Sequence, residues 1–302
     1  MKILEYILDD YIKSNPYLQE LKDEISANYS EIPDDFKLEY PEPTPIRIST
    51  MTVISNFNSV VDIDKLYDMI ELEDDVTNNI YPRIDFIKYG GDKIKGNTKK
   101  NKKKKNKKNY FQNQLTICIL LDDTKKMNMK LFKNGKVQLT GIKDVNIINI
   151  GCRYIVNLIK TKNTEQSIIE NTEKLNYIDN SYNIVLINSD FKVNYLLNRD
   201  NIFKLLNQIN FFVIYEPDIY PGVNLKYFIN STNKIPGICN CVNKCIGKGT
   251  CNGDGDCKRV TIAIFQSGSI IITGSKNKEQ VHECFQFINN LLRDNFSSVI
   301  DL

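Results

Sequence analysis

A segment of this chain occurs twice, and that duplication constrains its fold more than any other feature. Phe132-Lys-Asn-Gly135-Lys-Val-Gln-Leu-Thr140-Gly141-Ile-Lys143 returns as Phe265-Gln-Ser-Gly268-Ser-Ile-Ile-Ile-Thr273-Gly274-Ser-Lys276. Phe, Gly, Thr, Gly and Lys all keep one offset of 133 residues. A helix-like stretch follows each copy at the same offset, with Tyr154, Ile155, Leu158 and Ile159 in the first and Phe287, Ile288, Leu291 and Leu292 in the second. Self-similarity at a fixed period marks one structural unit used twice.

Upstream of each copy the pattern predicts a strand and then a short helix. Met51–Phe57 precedes Asp62–Leu72, which sets Leu66, Met69 and Ile70 on one face. Asn183–Asn188 precedes Asn198–Ile209, which aligns Ile202, Leu205 and Leu206. Each repeat therefore reads strand, helix, several antiparallel strands, helix. That order gives an α+β lobe with its helices gathered on one side of a sheet. The expected division is an acidic helical arm over 1–45, a first repeat over 46–160, a polar linker over 161–181 and a second repeat over 182–302. In the arm, Ile3, Leu4, Ile7, Leu8, Tyr11 and Ile12 recur at helical spacing, and Leu18, Leu21 and Ile25 continue the pattern beyond Pro16. Two insertions break the symmetry: a Lys/Asn run over 93–109, expected as a flexible loop, and a Gly/Cys-rich segment over 230–258.

The net charge of +3 conceals a polarity, because residues 1–43 carry −7 and the remainder +10. A basic body suits a polyanion; uneven solvation of a soluble protein accounts for it equally well. One histidine, His282, leaves little room for His-dependent catalytic constellations, and neither a GxxxxGK[ST] loop nor a GxGxxG turn occurs. The expectation is a protein that performs no covalent chemistry and takes no small-molecule substrate. No apolar run approaches the roughly 18 residues that span a bilayer, and Glu5, Asp9 and Asp10 interrupt what would be a signal core. An intracellular protein without membrane contact is expected. The richness in Asn, Lys and Ile fits an AT-rich coding genome, such as that of a large DNA virus.

The second-repeat strands want a partner. Alternation places Val260, Ile262 and Ile264 on one face and Thr261, Ala263 and Phe265 on the other, with Ile270 and Ile272 opposed to Ile271 and Thr273 in the next strand. The first set packs under the helices of the lobe. The second set has no helix left to cover it. A mildly apolar open face of this kind suits the minor groove of DNA, whose floor offers few distinguishing hydrogen bonds and whose base steps admit aromatic wedges. Another subunit or domain is the alternative cover.

These residues resemble the TATA-box-binding protein family. Tyr215-Glu-Pro-Asp-Ile-Tyr-Pro-Gly222 is similar to the second-repeat stirrup of that family, and Ile264–Gly274 to the strand pair that follows it. Leu131–Gly141 echoes that pair in the first repeat. The similarity covers roughly residues 46–160 and 182–296 and is stronger in the second repeat. It implies a saddle of about ten curved antiparallel strands, with helices on the convex face and the concave face on the AT-rich minor groove of duplex DNA. Intercalating aromatics carry over as Phe132, Tyr220 and Phe265, with Phe111 as the fourth; Thr140 and Thr273 fall against the groove floor, and Lys130 and Lys136 beside it. Glu216 and Asp218 match stirrup acids that receive a TFIIB-like initiation factor. The implied role is a transcription-initiation factor that bends DNA, in the nucleus or, for a viral protein, in a cytoplasmic viral factory or virion. The alternative is a degenerate saddle kept as a protein-interaction scaffold. It draws support from Thr50 and Ile184, which occupy positions where the family has asparagine.

Five cysteines fall within 19 residues: Cys239, Cys241, Cys245, Cys251 and Cys257, interleaved with glycines. Such density in an intracellular chain points to a structural Zn2+ held by four of the five. A redox-active or disulfide-bonded loop and unliganded thiols are the other readings. Cys118, Cys152 and Cys284 are expected in the core. The Lys99–Lys108 run either adds phosphate contacts or is a solvated insertion.

Overall fold

The computed structural model describes residues 40–72, 80–90, 93–96 and 113–301. The expected arm helix over 3–29, most of the lysine insertion and Phe111 lie outside the described residues. The chain divides into two compact units, one of Ile48–Ile187 and one of residues up to Arg47 together with Asn188–Leu302.

The first unit is built from β1 (Arg47–Asn56), α1 (Ile63–Met69), β2 (Arg83–Tyr89), β3 (Lys93–Gly96), β4 (Gln114–Leu120), β5 (Lys126–Phe132), β6 (Lys136–Ile142) and α2 (Asn146–Glu165). Its strands lie in the order β3-β2-β4-β5-β6-β1, and their pairings are antiparallel. β7 (Tyr182–Lys192) leads into the second unit, which continues with α3 (Arg199–Gln208), β8 (Phe212–Glu216), β9 (Tyr220–Ile229), β10 (Lys258–Ile264), β11 (Ser269–Ser275), α4 (Lys278–Asp294) and α5 (Phe296–Val299). The order there is β7-β11-β10-β9-β8, with β8 to β11 antiparallel. Each unit is thus the expected strand, helix, strands, helix. Among the described residues there are eleven strands where about ten were expected, and β3 is the additional one.

The packing follows from the two periodicities. In β10 and β11 the residues Val260, Ile262, Ile264, Ile270 and Ile272 are fully buried, and they join Cys284, Ile288, Leu291 and Leu292 of α4 in one core. Burying each such side chain is worth about 1.5–3 kcal/mol. Their alternates Thr261, Phe265, Ile271 and Thr273 are partly or fully exposed, and only the small Ala263 is covered as well. The first unit repeats the arrangement, with Met127, Met129, Leu131, Val137 and Leu139 beneath Ile148, Cys152, Ile155 and Ile159 of α2. Gly151 lets that helix settle onto the sheet, because a Cβ there would enter the Met127 side chain. α1, α3 and α4 each begin on a side-chain cap: Asp62, Asn198 and Asn277 accept from the backbone N–H groups of Lys65, Asn201 and Gln280.

Three stretches differ from expectation. Lys93–Gly96, inside the segment read as a flexible loop, is a strand paired with β2. It is held further by Lys95, whose Nζ donates to the carbonyls of Tyr67, Asp68 and Ile70 at the end of α1. Within the expected linker, α2 runs on to Glu165, and Ile168, Ile169, Leu175 and Tyr177 are buried. The backbone of Asp62 donates to Ile168 O at 2.8 Å, and that of Asn176 to Phe57 O at 3.1 Å. Tyr40 and Thr44, from the expected arm, pack with the second unit: Tyr40 meets Tyr195 and Phe296 edge-on, and Thr44 exchanges two hydrogen bonds with Lys192.

Candidate nucleic-acid interface

The helix-free face of the second unit is laid out by strand register. Residues directly opposite one another across β8, β9, β10 and β11 form rows on one face. One row is Phe212, Lys226, Thr261 and Thr273; the next is Ile214, Asn224, Ala263 and Ile271. Phe212 is 53% exposed and Ile214 38%, so the helices leave this surface open. Thr273 closes its row by donating its hydroxyl to Asn188 of β7. That asparagine lies four residues beyond Ile184, and sequence reasoning missed it. Lys226 and Arg259 were missed as well. Lys226 Nζ donates to Thr261 Oγ1 at 3.1 Å, and burial, then the charge of Arg259, holds its ammonium below the ordinary lysine pKa.

At one end of these rows stand Tyr220 and Phe265. Tyr220 opens β9, Phe265 follows β10, and their rings meet edge to face with centroids 5.7 Å apart. Gly222 makes the meeting possible: a Cβ there would lie 2.9 Å from the Tyr220 ring and 3.0 Å from that of Phe265. The Phe265 backbone is fixed by a turn in which its N–H donates to Ser269 O and its carbonyl accepts from Gly268 N–H, both at 3.0 Å. Arg199 Nη1 of α3 donates to Pro221 O at 2.6 Å, anchoring the loop that presents Tyr220. Glu216 closes β8, and Asp218 sits in the exposed turn that follows with Ile219, which is 79% exposed.

The first unit carries the same grid with different chemistry. Its rows are Phe86, Cys118, Asn128 and Thr140, and then Lys88, Thr116, Lys130 and Gln138. Lys88, Lys130 and Gln138 stand where the second repeat has Ile214, Ala263 and Ile271, so this face is the more polar of the two. Phe132 closes β5 opposite Gln114, and exposed Lys136 lies opposite Asn56. Cys118 is buried on this face beside Asp85, which also binds Lys126 at 3.0 Å. Burial, then the Asp85 charge, pushes the Cys118 thiol up to about 11.

The cysteine-rich segment interrupts the β9–β10 hairpin and gathers four of its five thiols. The sulfurs of Cys239, Cys241, Cys245 and Cys257 all lie within 4.8 Å of one another. A tetrahedral ion with sulfurs at about 2.3 Å sets them about 3.8 Å apart. Cys257 is fully buried, and burial pushes its thiol up while a hydrogen bond from Asn230 opposes the rise. Asn230 Nδ2 points at Cys257 Sγ (3.5 Å) and Cys241 Sγ (3.8 Å). Asp254 folds the intervening loop by accepting from the N–H groups of Val242 and Asn243. The fifth cysteine, Cys251, stands outside the cluster at φ +75° and accepts from Gln280 Nε2. The four thiols are placed to hold a metal ion.

Each copy of the duplicated α+β unit thus leaves one sheet face open, set with aromatic, threonine and basic residues. Residues 182–295 match the family model described as transcription factor TFIID (or TATA-binding protein, TBP). The chain is 28% identical over 266 residues to a "TATA-box-binding protein-like" protein of Acanthamoeba polyphaga mimivirus, a match covering 82% of this chain and 65% of that relative. It is 20% identical over 246 residues to the "TATA-box-binding protein" of Sulfolobus acidocaldarius, covering 82% of this chain and 89% of the relative. A solved structure, "Methanococcus jannaschii TBP", superposes with a TM-score of 0.47 at 17% identity, covering 83% of this chain and 99% of the other. The second repeat thus matches the TATA-binding-protein family model, and most of the chain is similar to TATA-box-binding-protein-like relatives.

Proposed function

We propose that this protein is a non-enzymatic transcription-initiation factor that grips AT-rich duplex DNA through the minor groove, bends it and receives a TFIIB-like factor at Glu216 and Asp218. The observation that carries this reading is the helix-free face of the second unit, with its threonine and small-residue rows ending on the Tyr220–Phe265 ring pair. A minor groove takes such a face because it offers mainly acceptors and sugar edges, and wedged rings kink it at a cost of a few kcal/mol per step. Phe132 and Phe111 are the proposed wedges of the first repeat, with Thr140, Lys130 and Lys136 beside them. The mimivirus relative supports a viral origin and, with it, action in a viral factory or virion. Zn2+ is the ion proposed for the four thiols, in a structural role, because an all-thiolate donor set suits it.

The test is fluorescence-detected bending of end-labelled duplexes, one AT-rich and one GC-rich, at fixed salt. Bending of the AT-rich duplex is expected, and Phe132→Ala combined with Phe265→Ala should abolish it. Bending that survives the double substitution would remove intercalation from the mechanism. A second reading, a protein-interaction scaffold built on the same face, is favoured by Thr50 and Ile184 and by the exposed Phe212 and Ile214. Failure of both duplexes to bind would establish it over the first.

A further inference from the structure

The thiol cluster and the open sheet face meet at one pair of residues. In the β9–β10 register Arg259 stands opposite Phe228, on the same face as Thr261 and two residues from it. The inserted segment lies against that pair. Arg259 N–H donates to Gly247 O at 2.8 Å, and a Cβ on Gly247 would strike Arg259 Cβ and come 3.3 Å from the Phe228 ring. Lys248 and Lys258 form a β-bridge beside it. The thiols flank this contact symmetrically: Cys245 is two residues before Gly247, and Cys257 two before Arg259. An ion joining Cys245 to Cys257 therefore closes a short ring around the Gly247–Arg259 hydrogen bond. Asn230, directly after β9, ties the other strand to the same sulfurs.

Arg259 and its neighbour Lys226 have no ion-pair partner among the described residues. Two adjacent uncompensated cations repel one another, and an anion that bridges them relieves the repulsion. Arg259 stands at the far end of β10 from Phe265, six residues or roughly 20 Å along the strand, and Lys226 lies on β9 opposite Thr261.

Resting on the DNA and zinc readings above, we propose that Zn2+ bound by Cys239, Cys241, Cys245 and Cys257 holds Arg259, with Lys226, in place as a contact for backbone phosphates of the bound duplex. The metal centre is then a positioning device for DNA affinity as well as a staple for the insertion. Each phosphate contact contributes about 0.9 to the slope of log K against log salt, so the contact is countable.

The experiment measures zinc per chain and the salt dependence of duplex binding for the full-length protein and three variants. Wild type should carry one Zn2+. Cys245→Ser should lose the metal, bind more weakly and lose about 1–2 from the salt slope. Arg259→Gln should keep the metal and lose about 1. Cys251→Ser should match wild type in both. Because Arg259→Gln leaves every thiol intact, it tests the phosphate contact even if Cys245→Ser disrupts the hairpin. A metal-free Cys245→Ser with the wild-type slope, an Arg259→Gln slope equal to wild type, or a wild type without zinc would each overturn the proposal. Wild-type protein that binds no duplex would remove the DNA reading itself, whereas normal binding with unchanged slopes removes this inference alone.

Discussion

At the scale of single residues, Gly222 decides what the aromatic pair can do. Its φ is unremarkable for a side-chain-bearing residue, so the constraint is space rather than backbone strain. The atoms a Cβ would press on are ring carbons of Tyr220 and Phe265, which turn aside more cheaply than backbone does. Gly222→Ala should therefore spread the rings while leaving the fold nearly intact. The expected outcome is a smaller bend angle by end-to-end fluorescence transfer, with a midpoint of denaturation close to wild type. A large fall in stability with normal bending would mean that the loop, and not the ring pair, needs the glycine. The same scale shows what could be read in advance. Phe132, Thr140, Phe265 and Thr273 were legible because each sits at one offset from its twin. Asn188, Lys226 and Arg259 were not, because their places on the face follow from which residues the strands set opposite one another. Register is fixed by hydrogen-bonded pairing and by the bulge between Ile214 and Glu216, and neither leaves a local motif.

At the scale of elements, both units solve the turn after the aromatic in one way. Gly135 and Gly268 adopt φ of +77° and +75°. Each donates its N–H back to the aromatic three residues earlier and accepts at its carbonyl from a preceding segment, Phe57 in one unit and Val193 in the other. A Cβ would enter the Ser59 carbonyl at Gly135, and the Val193 and Tyr195 carbonyls at Gly268. Backbone oxygens cannot turn aside as the end of a side chain can, so left-handed strain and a clash add together. Gly268→Ala should cost on the order of 1–3 kcal/mol in chemical denaturation, and Gly135→Ala a similar amount. A neutral result at either position would show that the segment facing that turn moves as a body. The amphipathic helices were readable from sequence, because apolar spacing is a side-chain signal. β3 was not: in a lysine-rich stretch, strand pairing rests on backbone groups and on Lys95 reaching the carbonyls at the end of α1. Ile168 and Leu175 were hidden for a related reason, since isolated apolar residues in a polar stretch have no period to betray them.

At the scale of the whole molecule, one grid is repeated with different side chains. The second-repeat face offers Ile214, Ala263 and Ile271 where the first offers Lys88, Lys130 and Gln138. Apolar rows against a groove reward a shape that only deformable sequence adopts cheaply, whereas ammonium groups reward any phosphate. On the DNA reading, affinity from charge should therefore weigh on the first repeat and sequence preference on the second. Lys130→Gln combined with Lys136→Gln should weaken binding to AT-rich and GC-rich duplexes by the same factor and lower the salt slope by about 2, with the bend angle of the bound duplex unchanged. Phe265→Ala should do the reverse, reducing the bend and the AT-over-GC ratio while leaving the slope as it was. Titrations at several salt concentrations with both duplexes separate these effects. A change of sequence preference on removing the two lysines would place base reading in the first repeat, because charge neutralisation alone cannot tell one duplex from another.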